Sequence, residues 1–299
     1  MIRVTAPAST ANLGSGFDCM GIALKLYNIA EFEEIESGLE INILDDSKKF
    51  LPTDQNNYIY KCMERVFNLA GKYPKGIRIN VNSSIPVTRG LGSSSAGLAL
   101  GLAGANELIG SPFTREELLN LACDIEGHPD NVTPAFCGGF TVAVRDAGKL
   151  YYTKTNVPDT ICFAAMIPDF YLPTKRARGI LPKKVFHRNA VYNVAHASYF
   201  AACASKGDFS AFGIGAKDRL HQKYRFGIIK NADEILRSSR KNGAIATFLS
   251  GAGPTIISVV NAQNASSYQQ NMQNLIDTRY TRWHLEMLEA DNYGLRIEK

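Results

Sequence analysis

The most constraining feature of this 299-residue chain is the glycine- and alanine-rich segment SAGLALGLAGANELIG at residues 95–110. Its only charged residue is Glu107, and a helix that is apolar on nearly every side is normally buried. The segment follows a glycine turn, RGLGSSS, which itself follows a run with Ile77, Ile79 and Val81 at the period of two that is typical of a β-strand. The sequence therefore predicts a strand, a glycine turn and a buried helix in succession.

The turn RGLGSSSAG, residues 89–97, has the composition of an anion site. Backbone N–H groups at a helix N-terminus attract anions, and glycine lets a polyphosphate approach the main chain closely. Serine hydroxyls in the first turn can cap the helix or bind Mg²⁺. A serine-capped helix after a flexible loop explains the same pattern equally well. No Walker pattern occurs, and Ser95 stands where a Rossmann fingerprint needs its last glycine.

A second polar cluster, EGHPDN, occupies residues 126–131. The helix before it begins with a predicted capping box, Thr114 with Glu117, and should end near Glu126. A carboxylate at a helix C-terminus is disfavoured by the helix dipole, so a neighbouring Mg²⁺ would account for it. A turn in which Asp130 or Asn131 bonds its own backbone accounts for the cluster as well.

Two more glycine loops are NLGSGFD at 12–18 and LSGAGPT at 249–255. The first could present an amide and a carboxylate to a polar substrate, or form a turn stabilised by Asx hydrogen bonds. The second contains no charged residue, and a tight hairpin is the favoured interpretation.

Basic residues cluster in PTKRARG at 173–179 and DRLHQKYR at 218–225. Arginine is suited to binding a carboxylate through paired hydrogen bonds. Such runs more commonly form a solvated basic face, so both interpretations stay open.

Composition excludes several functional classes. The net charge of +5 is spread along the chain, which is a weak indication of anionic small molecules and too diffuse to predict nucleic-acid binding. The six cysteines form no CxxC pair, so neither a zinc site nor a disulfide framework is predicted. No signal peptide or membrane-spanning stretch is recognisable. We therefore expect a cytoplasmic protein with no nucleic-acid and no membrane partner.

Helices and strands alternate too irregularly for a doubly wound sheet, which predicts the α+β class. The pattern restarts with TICFAAMIP, placing a domain boundary near 154–160 and domains at 1–156 and 157–299. In the second half, helices are expected around 188–206, 208–220 and 230–242.

Four motifs, in this order, resemble those of the GHMP family of small-molecule kinases. They are APASTANLGSGFDCMGIAL, IPVTRGLGSSSAG, EGHPDNVTPAFCGG and LSGAGPTIISVV. The resemblance implies a two-domain fold, with an N-terminal domain like domain 2 of ribosomal protein S5 and a C-terminal ferredoxin-like domain. ATP and substrate would lie between the two domains.

The resemblance also implies a reaction. With ATP and Mg²⁺ as cofactors, the γ-phosphoryl group would pass to the side-chain hydroxyl of L-homoserine. Relatives are often dimers, so a homodimer is expected. One alternative is a GHMP kinase acting on another hydroxylated substrate such as mevalonate, which EGHPDNV and the threonine–arginine cluster disfavour. The other is a non-catalytic ligand sensor, in which Ser94, Glu126 or the glycine loop should be lost.

The family's site residues carry over by similarity to matching positions. The ATP-binding residues would be Asn57, Arg89, Gly90, Leu91, Gly92, Ser93, Ser94 and Ser95. Ser94 and Glu126 would bind the metal. The substrate would be held by Asn12, Asp18, His128, Thr174, Arg178 and Arg225, with the arginines facing its carboxylate. Asp130 and Asn131 would be the catalytic residues nearest the reacting hydroxyl. Where the family usually reads HEPYR, this chain has His221-Gln-Lys-Tyr-Arg225.

Overall fold

The computed structural model describes residues 1–299 and contains two β-sheets with helices packed on them. In the first half the elements are β1 (Ile2–Ala11), β2 (Met20–Ile35), β3 (Gly38–Ile43), α1 (Tyr58–Ala70), β4 (Gly76–Ser83), α2 (Ser93–Leu108), α3 (Arg115–Glu126), α4 (Pro129–Cys137), β5 (Phe140–Asp146) and β6 (Lys149–Thr155). In the second half they are β7 (Ile161–Pro168), α5 (Thr174–Gly179), α6 (His187–Ala204), α7 (Phe212–Gly215), α8 (Gln222–Phe226), α9 (Ala232–Lys241), β8 (Ala246–Leu249), β9 (Ile256–Asn261), α10 (Ala265–Arg279), β10 (Trp283–Leu288) and β11 (Arg296–Glu298). The predicted α+β class is confirmed.

The first sheet is organised around the long strand β2. This strand pairs antiparallel with β1, β4 and β5, while β3 lies parallel to β4 and β6 pairs with β5. The run IAEFEEI, residues 29–35, forms the second half of β2. The C-terminal strand β11 also joins this sheet, beside β1. The domain limits at 156 and 157 stay a prediction. Strand β11, from the second predicted domain, lies in the sheet of the first.

Helix α2 is buried as its composition predicts. Every residue from Ser95 to Asn106 is buried, and the helix packs against α1, β1 and β2. Its glycines permit this close packing, because a Cβ at Gly101 would lie 2.5 Å from the carbonyl oxygen of Ile59. The turn before α2 is thereby held rigidly against the first sheet.

The second sheet is antiparallel, in the order β10-β7-β9-β8. It shares a continuous apolar core with the first sheet. Phe140 of β5 and Phe200 of α6 belong to that core, with ring centroids 5.3 Å apart. Burial of both rings fixes the two halves of the chain against one another.

The expected helix at 208–220 is wrong. Only a 3-10 turn, Phe209–Ala211, and the short α7 form there. Glycine at 213 and 215 weakens a longer helix. The Asp218 carboxylate then accepts the backbone N–H groups of residues 220, 221 and 222, which ends the irregular segment and starts α8.

The polar cluster at 126–131 is not a simple turn. Helix α3 has the predicted capping box and ends at Glu126, followed by Gly127 in the left-handed region at φ 84°. A second helix, α4, then begins at Pro129. Proline is well suited to the first helical position, because its missing N–H would have no partner there.

No helix in the structure combines the length and apolar character needed to cross a bilayer.

The tight packing of α2 gives a first prediction. Gly101→Ala should destabilise the protein by about 1–3 kcal/mol, because the new Cβ would overlap Ile59 and lie 2.8 Å from the Cβ of Cys62. Urea unfolding would measure the change. The matched control is Gly97→Ala in the same helix, where the nearest atom is 3.6 Å away, at Tyr58. Equal loss of stability in the two variants would contradict this account of α2.

Candidate active site

A cavity of about 320 Å³ gathers most of the residues singled out from sequence. Those lining it are Asn12, Asn57, Arg89, Gly90, Gly92, Ser93, Ser94, Glu126, His128, Asp130, Asn131, Thr174, Arg178 and Arg225. Of the others, Leu91 is fully buried, Ser95 lies within α2, and Asp18 reaches the site through its partner Arg178. Segments as far apart as residues 12 and 225 therefore meet in one place.

The glycine turn before α2 is held against neighbouring backbone. Gly90 and Gly92 have φ angles of +81° and +71°, a region that side chains disfavour. A Cβ at Gly92 would lie 2.1 Å from Ser9 Oγ, and one at Gly90 would lie 2.5 Å from the carbonyl oxygen of Ser250. Both positions therefore require glycine on grounds of conformation and space.

The N-terminus of α2 has no side-chain cap. Its first N–H groups, those of Ser93 to Ser95, cannot reach an acceptor within their own helix and remain available to a ligand. Ser94 Oγ and Ser95 Oγ instead donate to Glu126 Oε1, at 3.1 and 3.2 Å. The unfavourable position of Glu126 at the end of α3 is thus offset by the positive end of α2 and by two hydroxyl donors.

Helix α4 begins with an ordered polar group. His128 Nδ1 lies 2.8 Å from Asp130 Oδ1, and Ser9 Oγ donates to Asn131 Oδ1 at 2.9 Å. Burial alone would lower the pKa of His128, but the hydrogen bond and charge of Asp130 outweigh it and raise the pKa. Asp130 is itself 2% exposed, so its carboxylate is held in one orientation.

Two arginines stand beside the loop at residues 12–18. Arg178 binds the Asp18 carboxylate with both terminal nitrogens, at 3.0 and 2.6 Å, and this pairing raises the pKa of Arg178. Arg225 is 1% exposed, and burial followed by the charge of Arg178 lowers its pKa to about 10. Both guanidinium groups are therefore cationic at neutral pH, and both lie over the ring of Phe17.

Two residues assigned to ATP have structural partners of their own. The Arg89 side chain donates to the carbonyls of Pro168 and Asp169 and lies over the ring of Tyr171. Asn57 caps α1, accepting from the N–H of Ile59 at 2.9 Å, and also lines the cavity. The Arg89 guanidinium is therefore held by hydrogen bonds to protein carbonyls.

The loop at residues 249–255 contributes to the site, beyond the hairpin that its sequence predicts. It does connect the antiparallel strands β8 and β9, as a hairpin should. Its Gly251 and Ala252 also line the cavity, and the carbonyl of Gly251 accepts from Asn12 Nδ2 at 2.9 Å. That contact spans 239 positions, so no local pattern could reveal it.

The donor set around Glu126 fits a nucleotide-bound magnesium ion. No cluster of three or more His, Cys, Asp or Glu side chains exists for a metal held by the protein alone. Mg²⁺ in kinase sites typically takes one or two protein carboxylates and completes its shell with phosphate oxygens and water. Glu126 with the Ser94 hydroxyl matches that pattern.

Comparison with known proteins identifies the class. The family model of the GHMP kinases N terminal domain matches residues 57–139, and that of the GHMP kinases C terminal domain matches residues 200–277. The first match includes the glycine turn at the cavity, and the second includes strands β8 and β9 of the second sheet. The chain belongs to the GHMP kinase family.

Individual relatives match over nearly the whole chain. A homoserine kinase of Caldicellulosiruptor saccharolyticus is 48% identical, covering 99% of this chain and 96% of the relative. One of Clostridium botulinum is 40% identical, covering 98% and 97%. The crystal structure of homoserine kinase from Cytophaga hutchinsonii superposes with a TM-score of 0.88 at 27% identity, covering 99% and 97%. L. major mevalonate kinase shares the fold, with a TM-score of 0.72 at 14% identity and coverage of 95% and 94%.

Proposed function

We propose that this chain transfers the γ-phosphoryl group of ATP to the side-chain hydroxyl of L-homoserine. The observation that carries the proposal is the meeting, in one cavity, of an uncapped helix N-terminus with Arg178 and Arg225, the first of which is paired with Asp18. The first is an anion site suited to phosphates. The others complement the ammonium and carboxylate groups of an amino acid.

The amino-acid end of the cavity is complementary to a zwitterion. Asp18 would accept the substrate ammonium group, while Arg178 and Arg225 would bind its carboxylate. In the structure Asp18 and Arg178 form an ion pair with each other. On binding, the substrate ammonium would take the place of Arg178 beside Asp18, and the substrate carboxylate would take the place of Asp18 beside Arg178. Asn12, His128 and Thr174 complete the polar surroundings.

The nucleotide end uses backbone more than side chains. The turn at residues 89–92 and the N–H groups that begin α2 would surround the phosphates, and Asn57, which also lines the cavity, would contact the adenine base. Ser94 and Glu126 would hold Mg²⁺, with Ser95 as a second donor to Glu126. When bound, Mg²⁺ supplies neutralisation of the charge on the transferring phosphoryl group.

Catalysis would rest on positioning. Asp130 is held by His128, and Asn131 is held by the Ser9 hydroxyl, so a fixed carboxyl group and a fixed amide would lie beside the reacting hydroxyl. Phosphoryl transfer gains most of its acceleration from alignment and charge stabilisation, so it does not require a strong general base.

The metal assignment gives a sharp prediction. Glu126→Gln keeps the shape of the side chain but removes its charge, so turnover should fall on the order of a hundredfold or more. Coupled ADP release would measure turnover, and thermal unfolding would confirm that the fold is intact. The matched control is Asp124→Asn in the same helix, a 55% exposed carboxylate paired with Arg145. A Glu126→Gln enzyme as active as the control would remove Glu126 from the metal site.

The substrate is tested by ADP release across a panel of alcohols. With ATP and Mg²⁺, L-homoserine should give the highest kcat/KM, and mevalonate and galactose should give little activity, because neither pairs an ammonium with a carboxylate. Equal release with all three, or none with homoserine, would contradict the proposal. Binding of homoserine without any turnover would instead favour a ligand sensor.

A homodimer is also proposed, with helix α6 as its contact. Val191, Val194 and Tyr199 on this helix are 53%, 65% and 50% exposed, and no Asp, Glu, Lys or Arg lies between Arg188 and Lys206. The larger valines precede the exposed small residues at 198 and 202 on the same face. An antiparallel second copy would set these large residues against the small ones, which makes the face self-complementary, as a two-fold interface requires. A cytoplasmic location and the absence of nucleic-acid and membrane partners stay predictions from composition.

Val194→Glu tests the dimer, because it places a charge in the middle of this face. The variant should sediment as a monomer while the wild type sediments as a dimer. Leu69→Glu, at a 62% exposed position on α1, is the control and should stay dimeric. A wild-type chain that is monomeric at every concentration, or a dimer unaffected by Val194→Glu, would contradict the assignment.

A further inference from the structure

His221 lies fully buried between the two segments that form the amino-acid end of the cavity. Its Nε2 lies 2.8 Å from the carbonyl oxygen of Gly14, in the loop at residues 12–18. Its Nδ1 lies 3.2 Å from Nη1 of Arg225, one turn further along α8. The imidazole therefore connects the N-terminal loop to the buried arginine.

These two contacts fix the protonation of the ring. A carbonyl oxygen can only accept, so Nε2 must carry the proton. A guanidinium group can only donate, so Nδ1 must be the unprotonated acceptor. Burial lowers the pKa of His221, and the charge of Asp218, which acts in the opposite direction, does not outweigh it, which agrees with a neutral ring. Stacking on Phe17, with centroids 4.9 Å apart, fixes the plane of the ring.

Arg225 has only one edge that is not committed to the protein. Its Nε donates to the carbonyl of Ala177 at 3.2 Å. Its Nη1 donates to the carbonyl of Gly251 at 3.1 Å and to His221 Nδ1. The Nη2 group donates to no protein atom, and Arg225 lines the cavity. The three bonds therefore aim a single N–H pair at the ligand.

We propose that His221 is a positioning residue for the substrate carboxylate: its Nδ1 holds Arg225 Nη1, so that Nη2 of the arginine points into the cavity. The inference rests on the proposed function and deepens it, since it names the group that sets how the amino-acid carboxylate is recognised. His221 itself would not touch the substrate.

The neighbouring residues explain why the histidine is needed in this sequence. At 222 this chain has glutamine rather than the glutamate usual in the family, and its amide bonds the N–H of Leu249 and the carbonyl of Ala216. Gln222 therefore stabilises the backbone but makes no bond to Arg225. Among side chains, only His221 donates to or accepts from the Arg225 guanidinium.

Two substitutions separate the two ends of the ring. His221→Asn keeps a polar atom near the position of Nδ1, and His221→Gln keeps one near the position of Nε2. If Nδ1 orients Arg225, His221→Gln should raise the KM for L-homoserine about tenfold, the effect of losing one hydrogen bond to a charged group. The kcat and the KM for ATP should stay within about twofold, and His221→Asn should stay close to wild type.

Two further arms make the role specific. With L-homoserine amide, which lacks the carboxylate charge, His221→Gln should lose far less affinity than with homoserine. In an Arg225→Met background, His221→Gln should have almost no further effect on KM, because the interaction it removes is already gone.

Several outcomes would overturn the inference. One is equal behaviour of the Asn and Gln variants, including a common loss of folding seen by thermal unfolding. Others are a fall in kcat with unchanged KM, or a full His221→Gln effect in the Arg225→Met background. Wild-type turnover of homoserine is measured in the same experiment. Its absence would refute the proposed function itself, whereas normal wild-type kinetics with unaffected variants would refute only the role of His221.

Discussion

The contact on which the site depends is the close approach of the glycine turn to β1 and to the loop after β8. Gly92 lies against Ser9, and Gly90 lies against the carbonyl of Ser250. Ser250 Oγ donates to the Gly90 carbonyl at 2.6 Å and lies within hydrogen-bond distance of Thr10 Oγ1, at 2.9 Å. The N-terminus of α2 therefore points in a direction set by both halves of the chain, and an anion bound there meets groups from both.

Local patterns predicted much of this fold. The buried α2 and the capping box of α3 follow from composition and end signals in the sequence. Helix α4 was not predicted. Proline interrupts a helix in most positions, and the sequence does not show that Pro129 occupies the first position of a new helix, where proline is favoured. The helix predicted at 208–220 does not form for the opposite reason. The segment has helical spacing, but the Asp218 side chain accepts hydrogen bonds from the nearby backbone and competes with the helix.

The site was predictable only as a set of motifs. Nothing near Asp18 indicates that its partner is Arg178, 160 positions away, or that Gly251 would accept from both Asn12 and Arg225. Such contacts depend on the packing of the two sheets through Phe140 and Phe200, which a single sequence does not display. Charge type and motif order therefore indicated the chemistry, whereas the hydrogen-bond and ion-pair partners of each group could be identified only from the structure.

Strand β11 has a consequence for how the protein is made. It pairs with β1, with Val4 opposite Ile297, so the first and last strands of the chain are neighbours in one sheet. During synthesis from the N-terminus, the edge of β1 stays unpaired until residues 296–298 have been made. The first sheet is therefore completed only after the second sheet has been synthesised, which ties the folding of the two sheets together.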